Sequence, residues 1–209
     1  MTCLVLMTMT SVKLSKEYES LLDVPDEYKD DAYKYCVMVL SGTFITCKDT
    51  RLACVRHLKD IKRSITDDDF PYVYKPKRAK KVIKFMESLP DTKGKFHKLA
   101  LFQKFIVASV RGWFTEDDHL RFKKAFISMA RKGGKSLLVS GLVLYSFLFD
   151  TEPKEGRQCF TAANDKKQAS IVFNMVAKQL MYFVSQVPEI KKDVKKVREL
   201  LQNLKDGSY

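Results

Sequence analysis

Seven consecutive residues, Ala130-Arg131-Lys132-Gly133-Gly134-Lys135-Ser136, limit the possible folds of this chain more than any other stretch. Two adjacent glycines let several backbone N–H groups converge on phosphate oxygens. The lysine that follows supplies a positive charge, and the serine hydroxyl is a ligand for Mg²⁺. One position departs from the full GxxxxGK[ST] pattern, because Met129 stands where the first glycine is expected. The run predicts a phosphate-binding loop whose ligand is a nucleoside triphosphate.

The residues on either side favour this interpretation. Residues 125–129 are mostly apolar and predict a buried parallel strand. Residues 137–149 are apolar except for two serines and a glycine, and they predict a helix buried in an α/β layer. A strand, a glycine loop and a helix follow in the order that a phosphate site requires, and the helix N-terminus adds unsatisfied N–H groups. The alternative is an ordinary strand-to-helix turn, which would not explain why three cations crowd one bend.

The composition indicates a basic globular protein. Thirty-eight Lys and Arg against 25 Asp and Glu give a formal charge of +13, and 45% of the residues are hydrophobic. A positive field of this size favours polyanions, with nucleic acid as the first candidate, although single lysines on solvated helix faces are the alternative. Five cysteines without a CxxC pair indicate a reducing cytosol. Neither the short apolar start, residues 1–9, nor the apolar run after Ser136 reaches the length of a membrane helix, so we expect no membrane association.

Apolar periodicity predicts a mainly helical first part. Residues 12–65 are expected to be helical around a break at Ser41-Gly42, and an acidic, proline-bounded segment at 66–71 ends this part. We therefore expect a helical N-terminal arm over residues 1–70 and a second unit over residues 71–209. Its first helix has an apolar stripe that ends before Pro90, consisting of Ala79, Val82, Ile83, Met86 and Leu89.

The remaining segments predict an α/β unit. A helix over residues 99–110 carries Gln103 and ends at Gly112-Trp113, where the single tryptophan is expected in the core. Residues 157–162 predict a second strand, and Asn164 or Asp165 is expected to cap a helix over 166–183. Residues 193–204 predict a final amphipathic helix with Val194, Val197, Leu201 and Leu204 inside. Alternating helices and strands favour a parallel sheet with right-handed crossovers.

Together these residues resemble the large terminase subunit of tailed bacteriophages, in the branch whose phosphate loop reads approximately RKNGKS. Here Arg131-Lys132-Gly133-Gly134-Lys135-Ser136 has Gly133 in place of the asparagine. The likeness extends over roughly residues 30–185, and terminase loops often lack the first glycine. Other stretches that look similar are Tyr35–Gly42, Arg51–His57, Phe85–Glu87, Thr92–Lys95, Leu101–Phe105, Gly112–Trp113, Thr161–Ala163 and Lys167–Ala169.

The resemblance implies a RecA-like P-loop ATPase of the additional-strand class that packages viral DNA into a preformed capsid. It implies ATP and Mg²⁺ as ligands, and double-stranded viral DNA, the portal protein and the small terminase subunit as partners. It further implies self-association into a ring, a second domain with nuclease activity in the family, and a location in the host bacterial cytoplasm for a phage-encoded or prophage-encoded protein.

The same resemblance assigns roles to individual residues. Lys135 would contact the β- and γ-phosphates, Ser136 would bind Mg²⁺, and the N–H groups of Gly133 and Gly134 would approach the phosphate chain beside Lys132. Arg131 would act near the γ-phosphate, although a surface arginine at a helix end is the alternative. Gln103 stands where the family reads adenine with a glutamine, with Phe102 able to stack, although a glutamine on the wet side of a helix is the alternative.

One departure from the family concerns hydrolysis. An apolar strand ending in Asp-Glu, which would hold Mg²⁺ and orient water, does not follow Asn164 in this sequence. The sequence predicts an incomplete ATPase domain with little or no turnover alone. Two other functions stay open from the residues: another P-loop NTPase such as a helicase, and a basic nucleic-acid-binding module without enzymatic activity.

Overall fold

Helices make up most of the described chain. A computed structural model describes residues 16–150, 152–153, 155–197, 200–203, 207 and 209. The helices in this part are α1 (Lys16–Leu22), α2 (Asp31–Leu40), α3 (Lys48–Thr66), α4 (Pro76–Glu87), α5 (Leu101–Arg111), α6 (Lys135–Phe149) and α7 (Lys166–Gln186). The strands are β1 (Tyr72–Tyr74), β2 (Trp113–Thr115), β3 (Val194–Val197) and β4 (Leu200–Asn203). Among these helices, none has the length and apolar character needed to cross a bilayer.

The first three helices confirm the predicted helical start, with breaks that the sequence explains. A proline at position 25 separates α1 from α2, and the turn after α2 places Gly42 in the left-handed region at φ 78°. The Asp30 carboxylate caps α2 by accepting from the N–H groups of Ala32 and Tyr33 at 2.9 and 3.0 Å. The same carboxylate accepts from the Tyr74 hydroxyl at 2.6 Å, which ties α2 to β1. Residues 12–15 of the prediction lie outside the described chain.

A short antiparallel pair joins the arm helices to α5. Tyr72 pairs with Thr115 and Tyr74 with Trp113, so β1 and β2 bring both ends of the α4–α5 segment together. Trp113 is 2% exposed and lies in the core, as the sequence predicts. These two strands were not predicted, because three residues are too few to show a period of two.

Helices α4, α5 and α6 form a second packed group. The stripe predicted on α4 is confirmed, since Ala79, Val82, Ile83 and Met86 are all buried. Met86 faces α6 so closely that a Cβ added at Gly141 would lie 2.9 Å from the Met86 methyl carbon. This close approach fixes the helix that follows the glycine loop against α4. Helix α7 then covers α6 with a third cluster that includes Leu144, Phe147, Val176 and Leu180.

The predicted strands at 125–129 and 157–162 are not formed as strands in the described chain. Both segments lack regular secondary structure, and their aromatic residues face solvent, with Phe126 95% and Phe160 75% exposed. A strand forms only when a neighbouring strand satisfies its backbone N–H and C=O groups. In the described chain, neither of these apolar segments lies beside a strand. One parallel-type contact is present: the Tyr209 N–H donates to the Arg157 carbonyl, and the Tyr209 carbonyl accepts from the Cys159 N–H, both at 2.7 Å.

The predicted final helix over residues 193–204 is wrong. A 3₁₀ turn at Pro188–Asp193 leads into β3, which pairs antiparallel with β4 in a register that sets Val194 opposite Asn203 and Val197 opposite Leu200. Over so few residues, the apolar spacing fits both the helical period and the strand period. Pairing of β3 with β4 and burial of Leu201 against α7 favour the strands. Leu204, which the prediction placed inside, lies outside the described residues.

A buried histidine makes the stability of this fold depend on pH. His57 lies among aromatic rings, and its Nδ1 accepts from the Trp113 Nε1–H at 3.2 Å. Burial lowers the pKa of His57 from 6.5 to about 3, so the folded protein keeps this ring neutral while the unfolded chain takes up a proton below pH 6.5. The contribution of His57 to the free energy of unfolding is therefore complete above pH 7. It decreases as the pH falls, by about 2 kcal/mol at pH 5.

Urea unfolding at pH 7.5 and pH 5.0 measures this effect. We compare the wild type with His57→Gln, which keeps an acceptor for the indole but does not titrate. The wild type is expected to lose about 2 kcal/mol more than the variant between the two pH values. Equal losses in the two proteins would show that His57 is not the titrating group.

Candidate nucleotide-binding loop

The glycine loop runs directly into helix α6. A turn covers Arg131 and Lys132, the Gly133 N–H donates to the Ala130 carbonyl at 3.3 Å, and the helix starts at Lys135. Gly134 is the residue before the helix and adopts φ 78° and ψ 18°, in the left-handed region that glycine enters without a Cβ penalty. The loop therefore presents the start of a 15-residue helix at its far end.

Both glycines of the pair have close neighbours. A Cβ built on Gly134 would lie 2.6 Å from the Gln103 amide nitrogen, closer than real Cβ contacts come. A Cβ on Gly133 would lie 3.1 Å from the Met129 sulfur and 3.2 Å from the Ala130 carbonyl oxygen. The sequence prediction gave the glycines one role, approach to phosphate. The structure adds a second for Gly134, which is close packing against the Gln103 side chain of α5.

Gln103 links helix α5 to the loop. Its Oε1 accepts from the Ala100 N–H at 3.0 Å, and its Nε2 donates to the Gly133 carbonyl at 3.1 Å. The residue is only 9% exposed, so it does not lie on a wet helix face. Each polar atom of the amide has one partner within the protein, and one N–H donor and one oxygen lone pair remain for a further contact. Proximity of Gln103 to the loop is thus seen, and adenine reading stays a prediction.

Ionic contacts fix the end of α5 that carries Gln103. The Lys104 ammonium lies 2.7 Å from an Asp31 carboxylate oxygen on α2 and 3.6 Å from a Glu87 oxygen at the end of α4. The Glu87 carboxylate also accepts from the Leu99 N–H at 3.0 Å and lies 3.2 Å from the Lys98 ammonium. These contacts hold the first turn of α5 in place, and with it the amide that holds the loop.

The cationic side chains of the loop face solvent. Arg131, Lys132 and Lys135 are exposed, and Ser136 is half-buried. Within the described residues, none of the three cations forms an ion pair. Lys135 lies in the first turn of α6, where the helix dipole repels a positive charge. An anion at this position would relieve both the repulsion among the cations and the dipole.

An arginine that the sequence analysis missed holds the opposite end of α6. The buried Arg157 guanidinium donates to the Ser146 carbonyl at 2.9 Å and to the Pro153 carbonyl at 3.1 Å, and also contacts the Asp150 carbonyl. Ser146 lies in the last turn of α6 and Asp150 directly follows the helix, and the carbonyls at a helix C-terminus favour a cation. No spacing rule connects Arg157 to this helix, because the contact arises only after the chain turns back.

Other predicted residues have structural positions. Asp165 caps α7, with its carboxylate accepting from the Gln168 N–H at 2.9 Å, as predicted. In the described part of the chain, no group of three His, Cys, Asp or Glu side chains is placed to hold a metal ion. Ser136, which was predicted to bind Mg²⁺ through its hydroxyl, is the second residue of α6. Its role as a magnesium ligand stays a prediction.

Comparison with known proteins identifies the family. The model of the terminase large subunit ATPase domain matches residues 101–207, just over half of the chain. The chain belongs to the terminase large subunit family. Gln103 and the whole loop fall inside the matched range. The curated large terminase subunit of Enterobacteria phage HK97 is 32% identical over 108 residues, which are 49% of this chain and 20% of that protein. This chain therefore spans about a fifth of that curated relative.

A solved structure is also similar. The crystal structure of the HK97 bacteriophage large terminase matches 63% of this chain and 26% of its own, at 26% identity and a TM-score of 0.47. The matched family domain is an ATPase domain, so nucleotide binding is the activity that its members suggest for residues 101–207.

Proposed function

We propose that this terminase chain binds Mg²⁺–ATP at the loop 130–136 and acts as the N-terminal ATPase segment of a motor that packages viral DNA. The observation that carries the proposal is the loop itself. It combines a left-handed glycine before α6, three exposed cations without an ion pair in the described chain, and a buried amide that holds the Gly133 carbonyl. Each feature favours a polyphosphate at the start of the helix.

Each loop residue has a role in this proposal. Lys135 and Arg131 neutralise charge on the β- and γ-phosphates, Lys132 adds to the positive field, and the N–H groups of Gly133 and Gly134 bind phosphate oxygens. The Ser136 hydroxyl would hold Mg²⁺, which would supply positive charge to stabilise the phosphates. Gln103 completes the nucleotide-binding set through its contact with the loop.

The wider architecture and turnover are also proposals. We propose a helical arm over residues 1–70 and a RecA-like domain over 71–209, supported by the parallel-type pairing of Tyr209 with residues 157–159. We further propose slow turnover by this chain alone. Hydrolysis needs carboxylates for Mg²⁺ and water, and none of the described carboxylates is paired with a loop cation.

The partners follow from the family function. We propose double-stranded viral DNA, the portal protein and the small terminase subunit as partners, with the subunits arranged in a ring in the host cytoplasm. The charge of +13 supports the DNA partner, because a positive field attracts a polyanion.

Replacing Lys135 by alanine tests the nucleotide site. We expect the affinity for a fluorescent ATP analogue with Mg²⁺ to fall about 10–100-fold, since a charge-assisted contact contributes about 1.5–3 kcal/mol. Fluorescence titration gives the dissociation constants, and circular dichroism checks folding. The matched control is Lys167→Ala, because Lys167 is an exposed lysine in the first turn of another helix.

The control is expected to bind the analogue as the wild type does. Equal affinities of the wild type and Lys135→Ala would overturn the site. A wild type that binds duplex DNA but no nucleotide would instead support a basic nucleic-acid-binding module.

A further inference from the structure

Four lysines form a continuous basic stripe on α4. Lys77, Lys80, Lys81 and Lys84 follow the spacing i, i+3, i+4, i+7, so they share one face of the helix. All four are exposed, whereas the opposite face of α4 is buried against α5 and α6. We call these four residues the basic stripe.

The basic stripe has no counter-charge in the part of the chain that the structure describes. Within the described residues, none of its four ammonium groups forms an ion pair, a hydrogen bond or a contact with a ring. The two other cations at the start of α4 differ in this respect. Lys75 and Arg78 each lie 2.5 Å from an Asp118 carboxylate oxygen, and both also lie over the Phe114 ring. The chain thus neutralises the cations beside the stripe and leaves the stripe open.

This arrangement disfavours the isolated helix. Lysines three and four residues apart are neighbours and repel each other, and the stripe contains four such pairs. Lys77 lies in the first turn, where the helix dipole repels cations, and α4 has no acidic residue in that turn. Positions that break local rules without a compensating contact are expected at functional surfaces.

We propose that the basic stripe is a docking surface for the phosphate backbone of double-stranded DNA. It extends about 10 Å along the helix, since each residue rises about 1.5 Å. One DNA strand carries a phosphate every 3.4 Å or so of its axis, so the stripe has room to contact about three successive phosphates. The partner rests on the proposed DNA-packaging function, while the surface itself is defined by the positions of the four lysines.

The composition of the stripe favours DNA over an acidic protein. A protein interface has an apolar centre with a polar rim. The large hydrophobic residues that are exposed elsewhere in the described chain include none from α4, so the stripe has no apolar centre. Lysines bind phosphates as point charges without base contacts, so we expect binding that does not depend on sequence.

The salt dependence of DNA binding tests the stripe. In the full 209-residue chain, one variant carries Lys77→Gln, Lys80→Gln, Lys81→Gln and Lys84→Gln. A control variant removes the same charge from four exposed lysines on other elements, through Lys48→Gln, Lys59→Gln, Lys93→Gln and Lys167→Gln. Fluorescence anisotropy with a 30-base-pair duplex between 50 and 200 mM salt gives the slope of log affinity against log salt.

Each phosphate contact contributes roughly 0.9 to the magnitude of this slope. The slope of the stripe variant is expected to be shallower than that of the wild type by about 2–4, and that of the control by less than about 1. The two variants carry the same net charge, so a difference between them reports on location rather than on total charge. ATP affinity is expected to be the same in all three proteins.

Three results would overturn the proposal. Equal slopes for the two variants would show that the charge acts through the general field. Stripe-dependent binding of a polyglutamate peptide, tighter than that of the duplex, would identify an acidic protein as the partner. A wild type without measurable DNA binding would refute both the stripe and the DNA part of the proposed function, whereas equal slopes refute the stripe alone.

Discussion

Replacing Arg121 by methionine is expected to lower the free energy of unfolding by about 3–5 kcal/mol. The Arg121 guanidinium lies 2.7 Å from a carboxylate oxygen of Asp60, and both side chains are largely buried, at 14% and 10% exposure. The guanidinium also lies over four aromatic rings, those of Phe70, Tyr72, Trp113 and Phe122, at 4.3 to 5.3 Å from their centroids. Methionine keeps the apolar contacts but leaves the Asp60 carboxylate buried without a counter-charge.

A double-mutant cycle in urea unfolding measures this interaction. Adding Asp60→Leu to Arg121→Met removes the unpaired charge, so the double variant is expected to be more stable than Arg121→Met by about 2 kcal/mol. The matched control is Arg56→Met, because Arg56 lies 5.2 Å from the Phe122 centroid but is exposed. We expect it to cost less than about 1 kcal/mol, as surface changes usually do.

A cost below about 1 kcal/mol for Arg121→Met would show that water solvates Asp60 and that the pair is not a structural anchor. The same result would show that the ion pair does not hold segment 113–121 on the arm helices. Within this segment, the Arg121 backbone N–H donates to the Trp113 carbonyl at 3.0 Å.

The sequence was informative where one helix face carries the whole signal. Helix α4 shows this, because its apolar positions recur over three turns, and the structure buries each of them. Helix α6 was also predicted, from its continuous apolar run after the glycine loop. Helix α3 shows the limit. The apolar residues Leu52, Val55, Leu58 and Ile61 recur at every third position of this helix and indicate one buried face, yet Leu52 is 53% exposed while His57 and Asp60 are buried. The tertiary partners of those two polar residues, Arg121 and Trp113, determine which face of α3 is buried.

The contacts that organise the candidate site could not be predicted from spacing. Gln103 and Gly133 are 30 residues apart, and Arg157 closes the helix that begins at the loop. A sequence pattern identifies residues that are near each other along the chain, whereas these hydrogen bonds depend on how α5, α6 and the following segment pack. The loop itself was predictable because its chemistry lies within seven consecutive residues. Its orientation was not.

Gln103→Ala is expected to weaken the binding of ATP and of inorganic tripolyphosphate by a similar factor of about ten. The amide holds the Gly133 carbonyl and the start of α5 at the same time, so its loss frees the loop and removes a partner from the Ala100 N–H and from the Gly133 carbonyl. A loop that is no longer held in place binds every polyphosphate less well. Tripolyphosphate has no base, so it separates this effect from adenine reading.

Isothermal titration calorimetry with both ligands provides the measurement, with Gln168→Ala as a control because Gln168 is an exposed glutamine on α7. Gly134→Ala is expected to give the pattern of Gln103→Ala, because its Cβ would lie 2.6 Å from the Gln103 nitrogen and would displace the amide. If Gln103→Ala weakens ATP alone and leaves tripolyphosphate unchanged, then the amide reads the base and the loop holds its shape without it. Equal weakening of the two ligands by both variants makes Gln103 a positioning residue, which acts on phosphate through the Gly133 carbonyl.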